Sequence, residues 1–271
     1  MSISGLTRVT GMLKPPDKEF KMFMAYFYKV IRSPLFYIGI AGVVGICALR
    51  LLPSAFKGID VLMEMEVLRS LDGYRKVFVI LGALPFAANF SDEWNSMVTT
   101  NCVTRKGAGK YAVSNAIMCY VSALAVVFIG MMIFAGIYSM FYPFYFAGGG
   151  SGSSPYGIFT LSGFPILDLA ATTFVFSASC AMWAVMGQML TAFFPSKYIA
   201  ICAPFVFSYA IERLTMNFPE DFNLWSLSLS YTDWSALPAF IFANALFMGI
   251  AVICGIVFVK TVERKIQNGC A

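Results

Sequence analysis

Residues 112–140 read AVSNAIMCYVSALAVVFIGMMIFAGIYSM, a long stretch without a charged side chain. The hydrocarbon core of a bilayer is about 30 Å thick, and a helix needs about 20 apolar residues to cross it. Lipid offers the backbone no hydrogen-bond partners, so a spanning segment of this kind has to pair its amides within itself. The stretch therefore predicts a transmembrane α-helix, and it places the protein in a membrane.

Five further apolar stretches accompany it along the chain. The six predicted spans are 35–52, 77–90, 112–140, 166–194, 198–211 and 237–259. Hydrophobic residues make up 59% of the chain and charged residues only 12%, whereas soluble domains carry about 25% charged residues. We therefore predict an all-α, polytopic membrane protein that forms one transmembrane domain over residues 1–271.

The distribution of cations predicts the orientation of these spans, because cytoplasmic loops are enriched in Lys and Arg. With the N-terminus inside, the inner segments 1–34, 91–110, 195–197 and 260–271 hold 13 Lys and Arg residues. The outer segments hold six, of which five lie in the first outer loop. The bias favours a multi-pass protein of the cell membrane with both termini in the cytoplasm.

The segment before the first span reads KEFKMFMAYFYKVIR over residues 18–32. Its aromatic and aliphatic side chains recur at helical spacing on one side, and its cations occupy another. The cations are Lys18, Lys21, Lys29 and Arg32. This pattern predicts an amphipathic helix in the membrane interface, which Pro34 separates from the first span. The alternative is the cytoplasmic end of one long first helix, with its lysines reaching the headgroups.

The predicted cytoplasmic loop 91–110 reads SDEWNSMVTTNCVTRKGAGK. Ser91 can cap a short helix, and Asp92 and Glu93 are favourable in a first helical turn. Trp94 and Met97 give this helix an apolar side, which predicts a protein partner. The alternative is a helix packed against the protein's own membrane domain.

Several kinds of chemistry are excluded by residue type. The chain has no histidine, which removes HExxH zinc proteases and Ser-His or Cys-His nucleophile pairs. Gly109-Lys110 resembles the end of a phosphate-binding loop, but Thr104 and Tyr111 stand where that motif needs Gly and Ser or Thr. We expect no catalytic residue, no metal site, no nucleotide site and no nucleic-acid partner on this chain.

The arrangement resembles the membrane-spanning subunit of ABC-2 type ABC transporters, which are mostly exporters, over nearly the whole chain. Those permeases have six spans, cytoplasmic termini and a basic interfacial helix before span one. They also carry an acidic residue, a coupling helix and a turn similar to "Pro-x-Ser-Arg" followed by "Gly-Lys" between spans two and three. Glu93, Thr104, Arg105 and Lys110 fit these positions, although Cys102 stands near the usual proline and the glycine that usually follows the acid is missing.

The resemblance implies a permease subunit that forms the translocation pathway as a homodimer or heterodimer, through spans one, two and five. ATP and Mg would bind to a separate ATPase subunit, which docks on Asp92, Glu93, Trp94, Met97, Thr104, Arg105 and Lys110. Two other functions remain open: a transporter driven by an ion gradient, and a membrane scaffold or sensor. The first alternative would require ionisable groups deep in the membrane.

Overall fold

The computed structural model describes residues 18–51, 60–97, 99, 107–146, 156–231 and 234–269, with side chains from Met24 onward except at positions 50, 51 and 220. All regular secondary structure in these residues is helical, as the sequence predicts. The α-helices are α1 (Lys18–Arg32), α2 (Pro34–Leu51), α3 (Val61–Ser70), α4 (Asp72–Ala83), α5 (Asn89–Asn95), α6 (Ala108–Tyr138), α7 (Gly157–Leu161), α8 (Pro165–Phe193), α9 (Lys197–Thr215), α10 (Leu224–Ser228) and α11 (Ala236–Gly269), and a short 3-10 helix covers Glu220–Phe222.

Helix α8 is the centre of the bundle. It contacts α4, α6, α9 and α11, while α2 packs outside on α6 and α4. Its sequence is rich in Ala, Ser and Thr and includes Gly187, and such small side chains let helices in a membrane approach closely. At Gly187 the backbone of α9 comes so near that an added Cβ would lie 2.7 Å from the carbonyl oxygen of Ala200. The central helix thus depends on small residues.

Three helices of the described chain, α6, α8 and α11, are long and apolar enough to cross a membrane. Helices α1 and α2 pass the same test together, as a pair bent by 58° at Ser33, and would make a fourth span. The bend coincides with the break that Pro34 predicts between the interfacial helix and the first span.

The segment predicted as span 77–90 is not one helix. Helix α4 starts at Asp72 and ends at Ala83, a turn covers residues 84–88, and α5 follows. Pro85 lacks an amide proton and its ring obstructs the preceding turn, which accounts for the break. At 12 residues, α4 rises only about 18 Å, less than a bilayer core.

The segment predicted as span 198–211 lies within the longer helix α9, which continues to Thr215 with Pro204 in its interior. Pro204 packs against Gly187 of α8. A proline inside a membrane helix is tolerated where neighbouring helices compensate the freed backbone groups.

The segments predicted to face the cytoplasm meet at one end of the bundle, which we call the basic end. Lys265 of α11 donates a hydrogen bond to the carbonyl oxygen of Phe193 at 3.0 Å, and Asn95 of α5 donates one to that of Pro195 at 3.3 Å. The C-terminal helix, the α8–α9 connection and the loop after α4 therefore lie together.

Segments predicted to be outer meet at the opposite end. The Asp60 carboxylate caps α3 by accepting from the amide of Met63 at 2.7 Å, and it also accepts from the amide of Phe146 at 3.1 Å. Tyr231 donates to Glu66 of α3 at 3.2 Å. These contacts join the loops after α2, α6 and α10 into one cap.

We predict that Gly187→Ala destabilises the bundle by about 1–3 kcal/mol, because the new methyl group overlaps the backbone of α9. Gly136→Ala on α6 is the matched control, since a Cβ there meets nothing within 4 Å. The measurement is the temperature at which each variant, in mild detergent, leaves the monodisperse peak in size-exclusion chromatography. Equal midpoints for the two variants would contradict the close α8–α9 approach.

Candidate coupling site

Helix α5 is a short helix at the basic end that closes with an unusual backbone conformation. The amide of Ser96 bonds back to Asp92 and that of Met97 to Trp94, which ends the helix. Met97 has φ of 59°, in the left-handed region that bulky side chains seldom adopt. Its side chain is 74% exposed. A strained residue that exposes a large apolar side chain is a candidate for function.

Glu93 points from α5 into the protein rather than towards solvent. Its carboxylate accepts from the Lys29 ammonium of α1 at 2.7 Å and from the Tyr111 hydroxyl of α6 at 2.6 Å. Tyr26 of α1 donates to the same carboxylate at 3.4 Å. Glu93 is buried, so its charge requires these donors in place of water. This carboxylate thereby links three helices at the basic end.

A polar chain continues from this site towards α8. The Lys29 ammonium also donates to Asn89, and the Asn89 amide donates to Asn115 of α6 at 3.5 Å. Gln188 of α8 donates to the same Asn115 oxygen at 2.7 Å. All three amide side chains are buried. The site on α5 is therefore connected by hydrogen bonds to the central helix of the bundle.

The other predicted coupling residues differ in exposure. Trp94 is half-buried, with its ring 5.7 Å from that of Phe90 and beneath the Lys265 ammonium. Asp92 is exposed and forms an ion pair with Lys197 at 3.1 Å. Lys110 is exposed at the start of α6. Thr104 and Arg105 lie outside the described residues.

The cations predicted to lie at the membrane interface have different surroundings in the structure. Lys29 faces Glu93, while the Arg32 guanidinium lies 4.3 Å from the centre of the Tyr28 ring on the exposed side of α1. The side chains of Lys18 and Lys21 lie outside the described part of the chain. Lys29 thus has a partner within the protein that the helical pattern of α1 could not indicate.

Sequence reasoning missed Tyr26 and Tyr111 as members of this site. Both are aromatic residues in apolar segments, and the local sequence pattern therefore indicates packing or a position at the membrane interface. Their only signal is the hydroxyl group, because a buried Tyr usually finds a hydrogen-bond partner.

A second buried charge cluster lies towards the opposite end. Arg75 of α4 donates to Glu212 of α9 at 2.8 Å, and Lys76 donates to the other oxygen of the same carboxylate. All three side chains are buried. Beside them, Arg213 and Asp72 form a half-exposed pair at 3.1 Å. Two cations therefore hold Glu212 on both of its oxygens.

The α3 helix contributes a further buried cation, Arg69, whose guanidinium donates to the carbonyl oxygen of Met65 at 3.1 Å. Burial lowers the pKa of Arg69, and the charges of Glu66 and Asp168 oppose that shift. Among the residues that the structure describes, no group of three or more His, Cys, Asp or Glu could hold a metal ion.

Comparison of the chain with family models, with curated proteins and with solved structures finds no match.

We predict that Glu212→Gln lowers stability by about 3–5 kcal/mol, because Arg75 and Lys76 lose the charged carboxylate that both of them contact. Asp72→Asn removes the carboxylate of the exposed pair and should cost less than about 1 kcal/mol. Thermal unfolding in detergent checks both values. Adding Lys76→Met to Glu212→Gln should recover part of the loss, and a failure of the first variant to destabilise would contradict the charge assignment.

Proposed function

We propose that the chain is the permease subunit of an ATP-driven ABC exporter in the cell membrane. The observation that carries the proposal is the Lys29–Glu93 link, which joins the helix before the first span to the helix after α4. A subunit driven by a separate ATPase needs a site where movement of one exposed segment is transmitted to several helices. The Glu93 carboxylate of α5, which contacts α1 and α6, meets this requirement.

The N-terminal helix supports this proposal through its two faces. Tyr26 and Val30 are buried against the bundle, whereas Phe27 and Ile31 are 40% and 38% exposed. An interfacial helix needs apolar side chains that remain available to lipid. The proposal assigns Phe27 and Ile31 to the lipid surface and the Lys29 side to the coupling site.

The proposed topology has six passes and both termini in the cytoplasm. Its support is the sorting of segments between the two ends of the bundle, which requires the chain to cross between them repeatedly. In this topology α4, the turn 84–88 and α5 together make the second pass, and α9 makes the fifth. The broken second pass would leave α5 at the cytoplasmic surface.

We further propose that two permease subunits assemble through α2 and α9. Helix α4 contacts both of these helices and also packs against α8 and α6. Large apolar side chains are exposed on both flanks, including Tyr37 and Ile38 on α2 and Val206 and Tyr209 on α9. Span two, which begins with α4, then supports the face formed by α2 and α9 by packing against both helices.

The ion-gradient alternative has less support from the charges. A proton or cation carrier needs a carboxylate that can exchange its ion during transport. Glu212 is bonded to two buried cations, and Glu93 is bonded to Lys29 and two tyrosines. Both carboxylates therefore have structural partners that an exchanging ion would have to displace.

Met97 is the residue that tests the proposal most cleanly. It is exposed, whereas truncation of the half-buried Trp94 would also remove packing against Phe90. Met97→Asp places a charge in the proposed apolar interface, and Asp adopts the left-handed conformation more readily than Met. Met140→Asp is the control, because Met140 is 80% exposed but follows α6 at the opposite end.

The test is purification of the tagged chain from its native cells in mild detergent, followed by measurement of ATP hydrolysis in the eluate. We expect wild-type chain and Met140→Asp to retain an ATPase, and Met97→Asp to lose it at least tenfold, since a central contact is worth about 2 kcal/mol or more. ATPase activity that is absent from wild type, or equal in both variants, would count against the proposal.

A further inference from the structure

An apolar groove runs between α6 and α11 along the outside of the bundle. It has a volume of about 690 Å³ and extends along α6 from Val113 to Val121 and along α11 from Met248 to Glu263. Small residues form its floor, because Ala116 and Gly255 bring the two helices close together. The 16 residues of α11 rise about 22 Å, about half of the 40–45 Å of a bilayer with its headgroups. The groove thus matches one leaflet in length.

Charged side chains stand only at the end of this groove that belongs to the basic end. Lys260 and Glu263 line it there. Lys110 lies three residues before Val113, on the same side of α6. The Glu263 carboxylate sits against Gly109 so closely that a methyl group on that glycine would overlap it. Lys260 is exposed at the mouth, so the groove pairs an apolar channel with a net positive end.

We infer that this groove binds one anionic phospholipid, with an acyl chain along α6 and α11 and its phosphate beside Lys260. A basic pocket between membrane helices on the cytoplasmic side is the kind of site that recognises anionic headgroups. The lipid site goes beyond the proposed transport function and does not depend on an ATPase partner.

The dimensions favour an acyl chain over a helix from a second copy of the protein. A helix with its side chains is about 10 Å wide, so 22 Å of helix occupies about 1,700 Å³. The open space of the groove is smaller than that volume, so such a helix would stand partly outside it. A phosphate also complements the net positive charge of Lys110, Lys260 and Glu263 at this end of the groove, which an apolar helix would not do.

Two pairs of variants distinguish the contribution of the headgroup to lipid binding from that of the acyl chain. Lys260→Gln removes the cation at the groove mouth, and Arg264→Gln removes an exposed cation of the same helix outside the lining. Val252→Trp fills the groove from its rim, and Ile253→Trp adds the same ring at a neighbouring exposed position outside it. All four positions lie on α11 and are exposed, so we expect each variant to fold.

The experiment is native mass spectrometry of the full chain in detergent, titrated with phosphatidylglycerol or with phosphatidylcholine of identical chains. We expect one tightly retained phosphatidylglycerol and weaker retention of phosphatidylcholine. Lys260→Gln should reduce phosphatidylglycerol binding about fivefold, the effect of one cation near an anionic headgroup. It should reduce phosphatidylcholine binding less, because the choline cation offsets the charge of the phosphate beside Lys260. Val252→Trp should reduce the binding of both lipids.

Three results would overturn the inference. The first is equal retention of the two lipids by the wild-type chain. The second is an equal effect of a variant and its control, Lys260→Gln with Arg264→Gln or Val252→Trp with Ile253→Trp. The third is dissociation of a protein dimer by Val252→Trp with an unchanged number of bound lipids, which would assign the groove to a second copy.

Discussion

The buried carboxylate of Glu93 is the interaction on which the arrangement of the basic end depends. Taking an ion out of water costs several kcal/mol unless partners replace the lost hydration. Glu93 meets this requirement with donors from α1 and α6, so three helices have to come together for the charge to be buried. The Lys29 side chain is 51% exposed, which moderates the energy of the ion pair. The hydrogen bond from the buried Tyr111 contributes under less screening.

The bonds of Glu93 hold α5 in a fixed position, and the exposed residues next to it are fixed with it. The Asn89–Asn115–Gln188 chain extends the connection to α8, the helix that most of the bundle contacts. Met97 follows directly on the restrained helix α5 and exposes its side chain from a left-handed backbone. A partner bound at Met97 would consequently act on a segment that is tied to α1, α6 and α8. In the proposed exporter, that is the path from ATP hydrolysis to the membrane helices.

Much of the fold could be predicted from the sequence because a membrane imposes simple rules. Uncharged stretches such as 112–140 and 166–194 have to be helices in lipid, and the structure has helices α6 and α8 there. The break between α1 and α2 follows from Pro34 in the same way. The end of α4 was harder to predict, because apolar character continues through residues 84–90 and only Pro85 indicates a turn.

The site could be predicted only in part, because its partners are distant in the chain. The segment 91–97 contains the acid and the exposed Met97 that the sequence singles out. The inward direction of Glu93 depends on Lys29 and Tyr111, and no local pattern relates these residues. The same holds for Arg75 and Glu212, which are 137 positions apart. A pattern finds charged residues at the edges of spans, but their pairing depends on how the helices pack.

A double-mutant cycle of Lys29→Gln and Glu93→Gln, measured by thermal unfolding of the purified chain, tests the central claim most directly. Residues in direct contact within one network show coupling energies of about 0.5–3 kcal/mol. The account predicts coupling in this range, so the double variant is more stable than the sum of the single losses implies. Additive losses, within about 0.3 kcal/mol, would contradict the claim that Glu93 joins α1 to α5.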